Sequence, residues 1–136
     1  MDSVTLAQHE NSFVTVDPKT MIAYSLDHFG GQALLRYDVR DDWAPLDPIP
    51  MSLFVDKAQG ADVLGGFVYL STSNATNELY RVDLKTGEVV DLGSAGHLPG
   101  EGEGIDATKL KSGIFHSMVI DPKIAPVYLG HYTVSE

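Results

Sequence analysis

The feature that most constrains this chain is that it repeats itself at a spacing of 45 residues. Asp17 falls on Asp62, Tyr24 on Tyr69, Leu34 on Leu79, Arg36 on Arg81 and Asp38 on Asp83, with no gap required. Apolar character follows the same shift: Ile22 with Phe67, Ala23 with Val68, Leu35 with Tyr80, Val39 with Leu84. Glu103-Gly104-Ile105-Asp106 then resembles Gln59-Gly60-Ala61-Asp62 at a spacing of 44, which opens a third unit. A repeat of this length is one supersecondary unit that cannot bury its own apolar surface and stacks against its neighbours.

The segments between these landmarks read as strands. Met21–Leu26 and Gly66–Ser71 are short, aromatic and β-branched, too short for helices. Ala33–Val39 and Glu78–Leu84 alternate, so that Tyr80, Val82 and Leu84 share one face while Arg81 and Asp83 share the other. Asp83 to Val90 is a hairpin signal, with Gly87 placed for a left-handed turn position and Val89–Leu92 as a short outer strand. In the first unit Asp41–Leu46 takes that outer place, and its proline suits an edge strand. In the third unit Ile114–Ile120 comes about three residues late, Pro126–Val134 follows, and the unit ends one strand short. Ser3–Ala7 is strand-like and stands before the first unit, where the outer strand of a preceding unit would be. The only helix candidate, around Ser52 to Gln59, is short and uncapped, so the chain is all-β.

Tyr80-Arg81-Val82-Asp83-Leu84-Lys85-Thr86-Gly87-Glu88-Val89 resembles the strand–turn–strand signature of six-bladed β-propellers, among them the senescence marker protein/gluconolactonase-like, glutamine cyclotransferase-like and NHL-like groups. The resemblance implies three four-stranded antiparallel blades, a half-propeller. Blade 1 spans about residues 9–54, blade 2 about 55–98 and blade 3 about 99–136. An N-terminal strand at about 3–8 completes the last blade. Members of these groups carry about six blades in one chain, and three cannot close a ring. The expectation is therefore a homodimer that assembles one six-bladed propeller, or a fragment of a longer propeller.

Composition narrows the partners. Nine basic against nineteen acidic residues give a formal net charge of −10, which disfavours nucleic acid and anionic membranes. The absence of cysteine removes disulfides and thiolate chemistry. Neither a signal peptide nor an apolar run of membrane-spanning length is read in this sequence. Asn74-Ala75-Thr76 fits a glycosylation sequon.

Candidate chemistry sits at the entries to the innermost strands, Glu10-Asn11, Gln59-Gly60 and Glu103-Gly104. Glu103-Gly104-Ile105 is similar to the Glu-Gly start of an innermost strand in the gluconolactonase-like group. That group binds a divalent cation, typically calcium, through such oxygen ligands. The resemblance implies Glu103, Glu10 and Asn11 as metal ligands and a calcium-dependent lactonase or hydrolase, with Gln59 as the position that departs from the pattern. The other reading is a binding or scaffold protein that offers a polar channel mouth to a small ligand. His97, in a glycine-rich loop, and His116, in a strand, are the candidate catalytic bases. Arg36/Asp38 and Arg81/Asp83 recur from unit to unit, as a structural ion pair or a turn cap would.

Overall fold

The structure is a computed structural model that describes residues 4–6, 8–95, 100–107, 115–121, 123 and 126–133. Apolar residues that alternate along short strands, broken by turns, produce three antiparallel sheets and no α-helix among the described residues. Sheet 1 orders β1 (Thr15–Asp17), β2 (Ile22–Ser25), β3 (Gly31–Asp38) and β4 (Ala44–Val55) from one edge to the other. Sheet 2 repeats the order with β5 (Ala58–Leu64), β6 (Phe67–Thr72), β7 (Glu78–Asp83) and β8 (Val89–Ser94). Sheet 3 has β9 (Glu101–Asp106), β10 (Phe115–Ile120) and β11 (Val127–Tyr132). The helix candidate at 52–59 is the end of β4 and the start of β5. Pro45, Pro48 and Pro50 all lie in β4, the outer edge of its sheet, where a missing N–H costs no ladder bond on the open side.

The 45-residue repeat is a repeat of pairing register. Ile22 faces Asp38, Ala23 faces Tyr37 and Tyr24 faces Arg36, and the same three pairs recur as Phe67 with Asp83, Val68 with Val82 and Tyr69 with Arg81. The first hairpin of each sheet differs. In sheet 1 Asp17 faces Ile22 across a four-residue turn, whereas in sheet 2 Leu64 faces Phe67 across Gly65-Gly66. Asp62 therefore pairs two residues away from the place Asp17 holds. A slip of two leaves each side chain on its face.

Asp38 and Asp83 are turn caps. Asp38 Oδ1 accepts from the Arg40 N–H at 2.9 Å, and Asp83 Oδ1 accepts from Lys85 and Thr86 N–H at 2.7 and 2.9 Å. Those bonds hold the Asp83 carboxyl below its ordinary range. Arg81 lies over the Phe67 ring, 4.7 Å from its centre, instead of pairing with the aspartate.

Successive sheets pack face to face. The forward face of sheet 1 (Tyr24, Leu26, Leu34, Ile49) meets the rear face of sheet 2 (Val68, Leu70, Tyr80, Val82) in the larger core. The forward face of sheet 2 (Phe67, Tyr69) meets sheet 3 through Ile105, Phe115 and Tyr132, with the Tyr69 and Phe115 ring centres 4.7 Å apart. Val68, Leu70 and Val82 are wholly buried, each worth about 1.5–3 kcal/mol. Sheet 2 is thus covered on both sides, which is why its strands show apolar residues at successive positions.

The first strands adjoin in order, β1 beside β5 and β5 beside β9. At the second of these boundaries the backbones come so close that a Cβ on Gly60 would lie 2.7 Å from the Gly104 Cα. These two glycines are repeat equivalents, so the unit carries its own spacer. Asp62 adds a link there, its Oδ2 accepting from the Ala107 N–H of the next sheet at 2.8 Å.

The two ends of the stack differ. The rear face of sheet 1 (Ala23, Ser25, Tyr37) is buried beneath the N-terminal segment. Gln8 donates to Ser25 Oγ at 3.0 Å and accepts from the Tyr37 hydroxyl at 3.1 Å. Val4 and Leu6 line a hollow with Val14 and Trp43, and residues 4–6 form no strand and do not lie on sheet 3. On the forward face of sheet 3 Leu129 is 71% and Val127 55% exposed, while His116 on the same face is shielded from solvent. No helix among the described residues is long and apolar enough to cross a membrane.

Gly60→Ala is expected to cost about 1–3 kcal/mol by forcing β5 and β9 apart. Gly65→Ala, with open space around it, should show only the smaller cost of its left-handed backbone. Urea unfolding of the two variants measures the difference.

Candidate functional site

An antiparallel sheet brings the start of its first strand and the end of its second to the same end. The entries to β1, β5 and β9 therefore share a rim with the turns that follow β2 and β6. A backbone relay crosses this rim: His28 N–H donates to Glu10 C=O at 3.1 Å, Lys57 N–H to His28 C=O at 2.7 Å, and Ser73 N–H to Lys57 C=O at 2.9 Å. Between sheets 2 and 3 Asn77 takes over, its side-chain Nδ2 donating to Gly100 C=O at 3.1 Å and its backbone C=O accepting from Ala95 N–H at 2.9 Å.

His28 locks the first of these junctions. Its Nδ1 lies 3.2 Å from Ala58 C=O and 2.8 Å from Ser12 Oγ. The neighbouring Phe29 is 58% exposed and meets the His28 ring edge-on at 4.5 Å. His9, Glu10, Asp27 and Phe29 line a hollow of about 240 Å³ at this end of the sheets. An exposed aromatic beside two carboxylates and an imidazole is a surface suited to a polar or cationic ligand with an apolar part.

The turn after β6 is built around one carboxylate. Glu78 accepts from Thr76 Oγ1 at 2.8 Å, from the Tyr80 hydroxyl at 2.9 Å and from Asn74 Nδ2. These bonds hold the Glu78 carboxyl below its ordinary range. Burial, and then the bond to Glu78, push the Tyr80 phenol well above its own. The Asn74 amide is committed on both sides, since its Oδ1 also accepts from Thr76 and Glu78 N–H at 3.3 Å. The sequon is a turn motif here.

The residues singled out in the sequence fall in distinct places. Glu103 is a bulge: Gly104 faces Met118 and Gly102 faces Val119, leaving Glu103 unpaired between them. Gln59 is the same bulge in sheet 2, between Ala58 facing Thr72 and Gly60 facing Ser71. Bulges re-aim side chains, and the contact of Gly60 with Gly104 sets the two bulges level on adjoining strands. Asn11, bridged to Asp27, stands level with Ala58 rather than with Gln59, and Glu10 comes one residue earlier. The Asn11 oxygen accepts from Phe13 N–H at 2.9 Å and from Ser25 Oγ at 3.1 Å. No three His, Asp or Glu side chains among the described residues converge to hold a metal ion.

His97 lies outside the described residues. His116 is remote from the rim. Its register partners are Asp106, at the far end of β9, and His131. His28, which the sequence showed only as a residue near a strand end, proves to be a junction residue. No sequence motif marks it, because its partners Ser12 and Ala58 lie 16 positions before it and 30 after.

Because the folded Glu78 carboxyl titrates below its unfolded value, its contribution to stability is present above the ordinary carboxylate range and is lost as pH falls through and below it. Glu78→Gln is expected to flatten the decline of the unfolding midpoint across that acid window and to leave the slope above pH ~6 unchanged.

No known protein-family model matches the chain, and no curated protein is recognisably similar to it.

Proposed function

We propose that this chain is a propeller-type binding protein in which two copies close one six-bladed ring and present a polar rim to a small ligand. The observation that carries the reading is where Val4 and Leu6 lie. Pro50 and Ile49 of β4 press on the turn at Gly87, and Ser52 N–H donates to Gly87 C=O at 3.0 Å. The repeat equivalent of Gly87 is Asp42, and Val4 and Leu6 line a hollow together with the adjacent Trp43. The N-terminal segment therefore lies on sheet 1 as the outer strand β4 lies on sheet 2, in the place of an outer strand from a preceding sheet.

Sheet 3 has the complementary vacancy. Among the described residues β11 pairs only with β10, and no described strand lies on its other edge. Beside it a cleft of about 370 Å³, lined by Leu79, Val90, Leu92, Phe115 and Tyr132, occupies the position a fourth strand would fill. In a twofold pair, residues 4–6 of each copy complete the third sheet of the other while staying beside Trp43 of their own chain. The bulged Gln59 and Glu103, with the hollow at His9, Glu10, Asp27 and Phe29, then face the mouth of the ring.

Light scattering on size-exclusion fractions is expected to give twice the chain mass at micromolar concentration. Leu6→Asp should return the protein to the monomer and shift the emission of Trp43, the single tryptophan, to the red. A wild-type monomer that unfolds cooperatively would overturn the proposal. For the metal-dependent hydrolase reading, calcium is expected to leave Tm unchanged in wild type and in Glu103→Ala alike. A calcium-dependent rise in Tm that Glu103→Ala abolishes would restore it.

A further inference from the structure

The hollow at the rim of sheet 1 has no counterpart on sheet 2. The turns after β2 and β6 are repeat equivalents, with Asp27 in the place of Thr72 and Phe29 in the place of Asn74. In sheet 2 that turn is closed on itself. Thr72 is wholly buried and donates from Oγ1 to Glu78 C=O at 2.9 Å, and the Asn74 amide is bonded to Glu78 and Thr76. In sheet 1 the same place is open: His9, Glu10, Asp27 and Phe29 surround about 240 Å³, and the Phe29 ring is largely exposed there.

The walls of this hollow suit a cation. Asp27 Oδ1 accepts from His9 N–H at 3.2 Å, which holds that carboxylate at the wall. Neither Glu10 nor Asp27 pairs with a Lys or Arg side chain among the described residues. Two carboxylates that face one space repel each other, and a cation between them relieves the repulsion. Phe29 adds the negative face of an aromatic ring, and the His28 ring, itself held by Ser12 and Ala58, meets it edge-on. A bare metal ion is poorly served: no three His, Asp or Glu side chains among the described residues converge on one, and a benzene ring does not replace oxygen ligands. A quaternary ammonium group needs no such ligand geometry and uses both the carboxylates and the ring.

We propose that this hollow binds a small organic cation with a quaternary ammonium head, which rests on reading the rim as a ligand-binding surface and gives that ligand its chemical class. Phe29 takes the methyl groups on its face, and Glu10 and Asp27 supply the counter-charge. The volume is below that of pockets for drug-sized ligands, so the head is the part enclosed. All four residues belong to one chain, so the hollow is complete in a monomer and in a dimer alike.

Choline is the probe, and its control is the neutral alcohol in which tert-butyl replaces the trimethylammonium group. Titrations followed by NMR shifts of Phe29, in low-salt and mildly alkaline buffer, are expected to show saturable choline binding and about tenfold weaker binding of the alcohol. Added salt should weaken choline and leave the alcohol unchanged. Phe29→Leu, which keeps apolar bulk and removes the aromatic face, should weaken choline about threefold to tenfold. Glu10→Gln together with Asp27→Asn, which keeps the shape and removes the charge, should weaken it by about tenfold, with far-UV spectra unchanged in every variant. Phe54→Leu, at another exposed ring that does not line the hollow, should bind as wild type does. No choline binding, equal affinity for choline and the alcohol, or affinity indifferent to Phe29→Leu and to the paired carboxamides would each overturn the assignment. A dimer that binds no choline removes the cation site and leaves the two-chain ring, whereas a monomer that binds choline removes the ring and leaves the site.

Discussion

Everything in this structure depends on sheets that are apolar on both faces. Tyr69 and Val68 are neighbours in β6 and point to opposite sides, yet both are buried, Val68 against sheet 1 and Tyr69 against Phe115 of sheet 3. A sheet of this kind has no solvent side, so it cannot stand at the end of a stack without a cover. Sheet 1 meets that requirement from within its own chain, with Gln8 bonded to Ser25 and Tyr37 over the rear face. Sheet 3 leaves its forward face uncovered by the described residues, and Leu129 stands in solvent. The asymmetry between the two ends is the physical basis for reading the chain as part of a larger assembly.

Close packing at the first strands is the second constraint, and it explains the placement of the polar groups. Where Gly60 meets Gly104 there is no room for a side chain on Gly60, and the polar side chains beside this contact, Gln59 and Glu103, stand on bulges. The bulges stand level because the glycines do. The same crowding leaves backbone groups to link the rim, through Glu10, His28, Lys57 and Ser73 in succession. The rim is therefore a rigid feature made mostly of main chain, and side chains such as Phe29 project from it without being needed to hold it.

The sheets were readable in the sequence because the residues that repeat are the ones that set register. Tyr24 and Tyr69, Arg36 and Arg81, and Asp38 and Asp83 occupy identical cross-strand positions, and Pro45 falls in the edge strand, which starts at Ala44 and runs on to Val55 instead of spanning 41–46. The first hairpins misled. Asp17 and Asp62 align at 45 residues, but Asp17 caps its own turn through Lys19 and Thr20 whereas Asp62 binds the next sheet. A four-residue turn in one unit and Gly65-Gly66 in the other absorb the difference, and no identity score registers it. That slip is also why Glu10 and Asn11 looked equivalent to the Gln59-Gly60 pair and are not.

One carboxylate ties these observations together. An acid at the end of a first strand can reach the backbone N–H of the following sheet, as Asp62 does to Ala107, and so fasten one sheet to the next at the point where side-chain packing gives out. A charged acceptor makes that bond stronger than a neutral one and directs it to a single donor, so it sets the spacing of the sheets as well as holding it. Asp106 occupies the corresponding position on sheet 3, but the side chain across from it is His116 where sheet 2 has Tyr69. A tyrosine in that place contributes only apolar area and a hydroxyl. His116 instead brings two ring nitrogens, neither of which makes a hydrogen bond. At this position the repeat has thus exchanged an aromatic packing contact for a polar ring held 3.6 Å from a carboxylate.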